Sequence, residues 1–313
     1  MIDSQGGAGV SGADRAEGPD AAIGDREVDV DGARVRYLTA GEGSPLVLLH
    51  GTGDSAADWQ GVLPELARRH RVIAPDFPGC GGSDRPRAGY SPAGLADFVG
   101  RLLDALEIPG AALVGNSVGG LAALRFALEA PGRVPALVLV AAAGLGREVT
   151  PGMRALVVPG FGEWATALAL TPPGWAQRLW WRLHTLFAHP RRAPAGWLDE
   201  QGRLGRRPDF LANTLEILRA VIGPAGQRDI LLDRLPELAM PTLILWGERD
   251  QILPLAHAHA AAGRLRRGRL AVLPDCGHLP HVECPERFLE ALGSWLDQTG
   301  AGMGSGEVPA GPP

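Results

Sequence analysis

Lysine is absent from this chain: all 30 basic residues are arginine. Chemistry through a lysine Schiff base is thereby excluded, and the bias fits the codon usage of a GC-rich genome. Cysteine is scarce and odd in number, and Cys80, Cys276 and Cys284 form no CxxC pair. That pattern offers neither a disulfide framework nor a thiolate metal site, and it predicts reduced thiols in a cytoplasmic protein. No apolar run reaches the ~18 residues of a membrane span, and Met1 to Asp20 lacks the basic and apolar segments of a secretory leader. Histidine, cysteine and carboxylate spacings match no zinc or calcium site, so neither metal nor cofactor is expected. A basic face is missing too. With a net charge of -5, the chain has no broad electrostatic footprint for nucleic acid.

What is present is the composition of a globular protein, 45% hydrophobic and 21% charged over 313 residues, enough to bury a large core. The expected partner is a small-molecule substrate, with no nucleic acid and no membrane, and a homodimer is left open. Residues 1–23 and 299–313 are dominated by Gly, Ala, Pro and Ser and read as disordered tails. Between them, short apolar runs alternate with helical patterns, which predicts an α/β fold with a mostly parallel sheet and helices on both faces.

About eight strands can be placed. Glu27 to Val30 and Arg34 to Leu38 flank Asp31-Gly32 and form a hairpin. Leu46 to Leu49, Val72 to Ala74, Ala111 to Val114 and Leu137 to Val140 follow as buried strands, and Thr242 to Trp246 and Leu270 to Leu273 complete the set. The core is therefore residues 24–144 and 236–298. The interruption, residues 145–235, is helical in tendency and crossed by Pro159, Pro172, Pro173, Pro190, Pro194 and Pro208. It contains five of the eight tryptophans, Trp164, Trp175, Trp180, Trp181 and Trp197, and reads as a helical cap inserted after the sixth strand.

Gly115-Asn116-Ser117-Val118-Gly119-Gly120 follows a buried strand and opens a helical run, the strand–turn–helix context of a G-x-S-x-G nucleophile elbow. A serine hydroxyl is a weak nucleophile and needs a base, itself held by a third group. Asp275-Cys276-Gly277-His278 follows the last strand and supplies His278, with His281 as the rival. The acid comes before the histidine in this chain order. Asp250 lies in the turn after the seventh strand, with Glu248 the weaker candidate, whereas Ala141 to Gly144 after the sixth strand holds no carboxylate. His50-Gly51-Thr52-Gly53 after the third strand offers free backbone, so the oxyanion hole is assigned to the amides of Thr52 and Val118. Asp76 and Asp84 flank a Gly-rich loop and read as loop caps. Gly51, Asn116, Trp180, Trp181, Arg191 and Arg192 are the candidates for touching substrate, with Arg219 as a further cation able to hold a carboxylate.

These segments, together with Asp76-Phe77-Pro78-Gly79-Cys80-Gly81-Gly82-Ser83-Asp84 and Gly247-Glu248-Arg249-Asp250, resemble the ordered motif series of the α/β-hydrolase superfamily from about Val28 to Asp297. The resemblance implies the α/β-hydrolase fold and a Ser117–His278–Asp250 triad. Gly-Asn-Ser-x-Gly-Gly is similar to the elbow of meta-cleavage-product C–C hydrolases and several esterases. Those C–C hydrolases usually carry Gly-Pro-Gly in the oxyanion loop, where this chain has Gly53-Asp54-Ser55. A serine in the elbow disfavours the haloalkane dehalogenases and epoxide hydrolases, which use aspartate. The expected function is acyl-enzyme hydrolysis of a small to medium apolar ester, lactone or thioester. Hydrolysis of a C–C bond in a diketo acid and a non-catalytic ligand-binding protein of the same fold are the alternatives.

Overall fold

The computed structural model describes residues 22–85 and 90–300, so most of both expected tails lies outside the described residues. The chain runs β1 (Gly24–Val30), β2 (Ala33–Ala40), β3 (Ser44–Leu49), α1 (Leu63–Ala67), β4 (His70–Pro75), α2 (Pro92–Ala105), β5 (Ala112–Asn116), α3 (Val118–Glu129) and β6 (Leu137–Val140). Five helices are then inserted: α4 (Pro151–Leu156), α5 (Phe161–Ala169), α6 (Pro172–Leu186), α7 (Ala195–Leu204) and α8 (Pro208–Val221). A two-residue hairpin, β7 (Ile222–Gly223) with β8 (Gly226–Gln227), leads back to the core. The core closes with β9 (Thr242–Gly247), α9 (Leu255–Ala262), β10 (Gly268–Leu273), α10 (Pro280–Glu283) and α11 (Pro285–Thr299).

Eight strands form one sheet in the order β1-β2-β4-β3-β5-β6-β9-β10. The first two join antiparallel and the rest run parallel. Alternation within the strands decides the two cores. Val47 and Leu49 of β3 face the layer of α2 and α3, while Leu46 and Leu48 face α1 and α11. The same division splits Leu137 and Leu139 from Val138 and Val140 in β6. Strands buried on both faces must be apolar at every position, which is why they read as unbroken runs. Each such leucine contributes about 1.5–3 kcal/mol by leaving water.

Several cap prolines begin helices instead of breaking them, while Pro159 lies in the turn between α4 and α5. Pro172 and Pro208 sit at the first helical position of α6 and α8, where the missing N–H has no intrahelical partner to lose. Thr171 caps α6 by accepting from the Gly174 amide at 3.3 Å. With the parallel strands all ending on one side, β3, β5, β9 and β10 present their following loops at a common edge beneath this cap.

The thiols depart from expectation. Cys276 and Cys284 are joined as a disulfide, with Cα atoms 6.4 Å apart, and only Cys80 is free among the described residues. An odd cysteine count does not forbid a pair eight residues apart in sequence, because the turn before α10 folds the chain back on itself. The compartment argument drawn from reduced thiols loses its support with it. Among the described residues, no helix is long and apolar enough to cross a membrane.

Candidate active site

Ser117 is built from the backbone outward. It lies between β5 and α3 with φ 54° and ψ -117°, a left-handed conformation that is strained for a residue with a Cβ. Hydrogen bonds hold it there: its amide donates to the Val140 carbonyl at 3.0 Å, and its carbonyl accepts from the Ala143 amide at 2.9 Å. A Cβ at Gly115 would fall on the Gly119 carbonyl, and one at Gly119 on the carbonyls of Leu49 and His50. The glycines are thus required by close backbone approach.

His278 and Asp250 meet from two neighbouring loops. His278 Nδ1 donates to Asp250 Oδ2 at 2.8 Å, and both side chains are almost wholly buried. The second carboxylate oxygen accepts from the amides of Ile252 at 2.8 Å and Leu253 at 3.0 Å, which fixes the carboxylate in its turn. An ionised carboxylate only accepts, so the imidazole proton resides on Nδ1 and Nε2 keeps its lone pair. The His278 amide donates to the Leu186 carbonyl at 2.8 Å. Glu248, the alternative acid, accepts instead from the Asp275 amide at 3.2 Å. His281 is fully buried, stacks on Trp59 at 4.0 Å between centroids and has no partner at either ring nitrogen. Burial, aided by the nearby His278, pushes its pKa down to about 3.

Ser117 and His278 line one pocket of about 40 Å³ with Gly51, Thr52, Asn116 and Val118. The two assigned oxyanion residues therefore share the pocket with the serine. His50 supports their loop: its Nε2 accepts from the Phe77 amide at 3.0 Å, which places the proton on Nδ1 and a hydrogen bond of 2.7 Å to the Gly51 carbonyl. Asn116 spends its amide nitrogen on the carbonyls of Val140 at 3.2 Å and His278 at 3.1 Å, so it ties the elbow to the histidine loop. Asp76 is buried and accepts from the amides of Ala56 and Gly82 and from Arg36, and Asp84 accepts from the Arg34 amide. Both carboxylates cap loops.

The inner pocket adjoins a second cavity of about 370 Å³ beneath α4, α5, α6 and α8, and the two share Thr52, Met153, Trp181, Arg182 and Leu218. Trp181 lines both and Trp180 lines the outer one. Arg191 and Arg192 line neither cavity. Arg192 donates to the Asp275 carbonyl at 2.9 Å, and Arg219 pairs with Glu163 at 2.6 Å. The arginine that does reach the site is Arg182, which reading the sequence did not single out.

Arg182 of α6 forms a buried ion pair with Asp54 of the loop after β3, and Gln201 of α7 donates to the same oxygen at 3.0 Å. Asp58 is buried nearby with neither oxygen partnered, and burial followed by the charge of Asp54 raises its pKa well above the usual carboxylate range. Arg178, part-buried in the wall of the outer cavity, is drawn down to about 9 by desolvation and by Arg182. Glu283 is a second missed residue. Its carboxylate accepts from the amides of Gly277 at 2.7 Å, Ala188 at 3.0 Å and His189 at 2.7 Å, so it locks the histidine loop to the end of α6. No local motif marks either group, since their partners lie 128 and up to 95 residues away. Among the described residues no cluster of side chains could hold a metal ion.

The model of the alpha/beta hydrolase family matches residues 46–291. An uncharacterised protein of Mycobacterium tuberculosis is 36% identical over 281 residues, covering 86% of this chain and 80% of its own. The 2-hydroxymuconate semialdehyde hydrolase of Pseudomonas sp. strain CF600 is 34% identical over 287 residues, covering 88% of this chain and 95% of its own. Among solved structures, a bacterial membrane phospholipase A superposes with a TM-score of 0.74 at 28% identity, covering 88% of this chain and 86% of that one. Sheet order, inserted helices and family match converge, and the chain belongs to the alpha/beta hydrolase family.

Proposed function

We propose that this hydrolase cleaves apolar acyl esters, with lactones and thioesters in the same class, through an acyl-enzyme on Ser117. The observation that carries the reading is a serine held at positive φ in one pocket with a carboxylate-oriented histidine, opening into an apolar cavity. Ser117 Oγ attacks the carbonyl carbon while His278 Nε2 takes its proton. Asp250 holds the tautomer and stabilises the imidazolium. The amides of Thr52 and Val118 receive the oxyanion, a contribution of about 3 kcal/mol for one such donor. The leaving alcohol takes the proton from His278, and water activated by the same nitrogen releases the acid. A cavity of about 370 Å³ falls within the range of small-molecule sites, and its wall of Leu156, Phe161, Leu168, Trp181 and Leu215 suits an acyl chain.

A second reading, cleavage of a C–C bond in a diketo acid, is favoured by the 34% identity to a 2-hydroxymuconate semialdehyde hydrolase and by Asn116 before the serine. Against it, the arginine in the inner pocket's wall is already paired with Asp54, so a carboxylate bound there would displace a buried ion pair; Arg178 of the outer cavity, with Nη1 unpartnered, is the cation left to meet one. The test is a fluorophosphonate probe together with p-nitrophenyl esters of increasing chain length and a chromogenic ring-fission product. Labelling and ester turnover lost in folded Ser117→Ala support the ester reading. Rapid turnover of the ring-fission product with slow esters overturns it. Absence of labelling in the folded wild type would leave a ligand-binding protein of the same fold.

A further inference from the structure

Apolar side chains exposed on a folded surface are most informative when they gather around a site. Six large hydrophobic residues are exposed among the described residues, and five, Val158, Phe161, Trp164, Leu170 and Trp180, belong to one short stretch of the cap. Phe161, Trp164 and Trp180 also line the outer cavity. The same side chains therefore face water and the compartment that leads to Ser117. Trp164 and Trp180 are the most open, at 58% and 59%, and the Phe161 and Trp164 rings lie 5.6 Å apart at the start of α5. Val158 stands in the turn just before them.

The charge around this rim is also particular. The chain carries -5 overall, yet residues 151–186 hold a single carboxylate, Glu163. Of their three arginines, Arg182 is buried in its pair with Asp54 and Arg178 lines the outer cavity, which leaves Arg154 at the surface. Glu163 is spent on Arg219, and Arg154, one turn before Val158, is exposed. The rim thus presents no unpaired carboxylate to repel phosphate headgroups.

We propose that the cap rim of Val158, Phe161, Trp164 and Trp180 docks on a lipid surface and draws an acyl chain from it into the outer cavity. This deepens the ester reading and rests on it, by specifying that the substrate is presented in an aggregated lipid phase. Tryptophan suits the boundary between headgroups and acyl chains, where its ring is buried and its indole N–H stays wet, and phenylalanine and valine add apolar area to the same face. The cavity behind them is lined mainly by apolar side chains, with Arg178 and Arg182 also in its wall, and it shares Met153, Trp181 and Leu218 with the inner pocket, so an acyl chain finds apolar contacts from the rim to the pocket of Ser117. The expectation that this protein meets no membrane, drawn from the lack of a spanning segment, does not extend to a peripheral face. The patch arises only when α4, α5 and α6 fold together.

The experiment is cosedimentation of the full chain carrying Ser117→Ala, so that nothing is hydrolysed, with vesicles of phosphatidylcholine with and without phosphatidylglycerol. The protein should pellet with vesicles, more strongly when phosphatidylglycerol is present. Trp164→Glu should weaken the partition by about tenfold or more, whereas Trp164→Phe should retain most of it. Thermal melting checks that each variant is folded. Failure to pellet with either vesicle, or equal pelleting by folded Trp164→Glu, overturns the proposal. A dimer in sedimentation velocity that Trp164→Glu dissociates, without vesicle binding, assigns the rim to a second copy of the chain and likewise overturns it. The ester reading is judged separately by Ser117-dependent turnover of soluble esters, which can persist if docking fails and be absent if docking holds.

Discussion

His278 and His281 lie three residues apart and meet opposite environments. One is oriented by Asp250 and lines the pocket of Ser117; the other is sealed against Trp59 without a hydrogen bond. His278→Ala is therefore expected to reduce ester turnover by about 10⁴-fold or more while leaving the melting temperature near that of the wild type. His281→Ala should instead lose stability, on the order of 2–3 kcal/mol for an emptied aromatic site, with kcat little changed in the protein that remains folded. Kinetics beside thermal melts distinguish them, and the opposite pattern would move the base to His281. The pH response follows from the same burial. The His281 pKa falls from 6.5 to about 3 on folding, so below pH 6.5 the unfolded chain binds a proton that the folded one refuses. Its contribution is present above that pH and is lost as pH falls toward 3. Denaturant titrations of wild type and His281→Phe should show a shallower acid decline in the variant. Equal slopes would mean that His281 does not titrate as its burial dictates.

At the scale of elements, α6 connects the cap to the machinery at two points. Arg182 reaches Asp54 on the loop after β3, and Leu186 accepts from the His278 amide. Arg182→Met leaves Asp54 buried without its cation and should cost about 3–5 kcal/mol. Adding Asp54→Asn should recover part of that loss. A double-mutant cycle by urea denaturation reads the coupling, and strict additivity would show that the pair is not coupled. Trp181 lines both cavities. Its replacement by alanine should shift kcat/KM among acyl chain lengths by about 1–3 kcal/mol, with acetate esters least affected. Equal losses across the series would make Trp181 a support of the cap and not a selector of substrates. The cap was legible in outline, because a run rich in proline and tryptophan stands out between two buried strands. Its contacts were not, because which face of α6 turns inward depends on helices far along the chain.

For the molecule as a whole, the strand–turn–helix around Ser117, the succession of strands along the chain and the loops that carry His278 and Asp250 follow from local patterns, whereas the seat of β4 between β2 and β3 in the sheet does not. The disulfide does not. Denatured without reductant, the protein should titrate for one thiol, Cys80, and for three after reduction; three without reductant would disprove the pairing of Cys276 with Cys284. Closing so short a loop is worth about 2.5 kcal/mol in the chain-entropy account, so reduction should also lower the melting temperature. By itself the sequence determined which segments are strands buried on both faces, because an apolar residue at every position admits no other layer, and where the serine turn must lie, because only glycine tolerates its close backbone approaches. Tertiary structure alone decided that Arg182, and not Arg191 or Arg192, reaches the pocket, that Glu283 holds the histidine loop, and that the exposed cap aromatics border the path to Ser117. Those outcomes depend on contacts between residues tens of positions apart, and no periodicity within one helix encodes what another helix will bring against it.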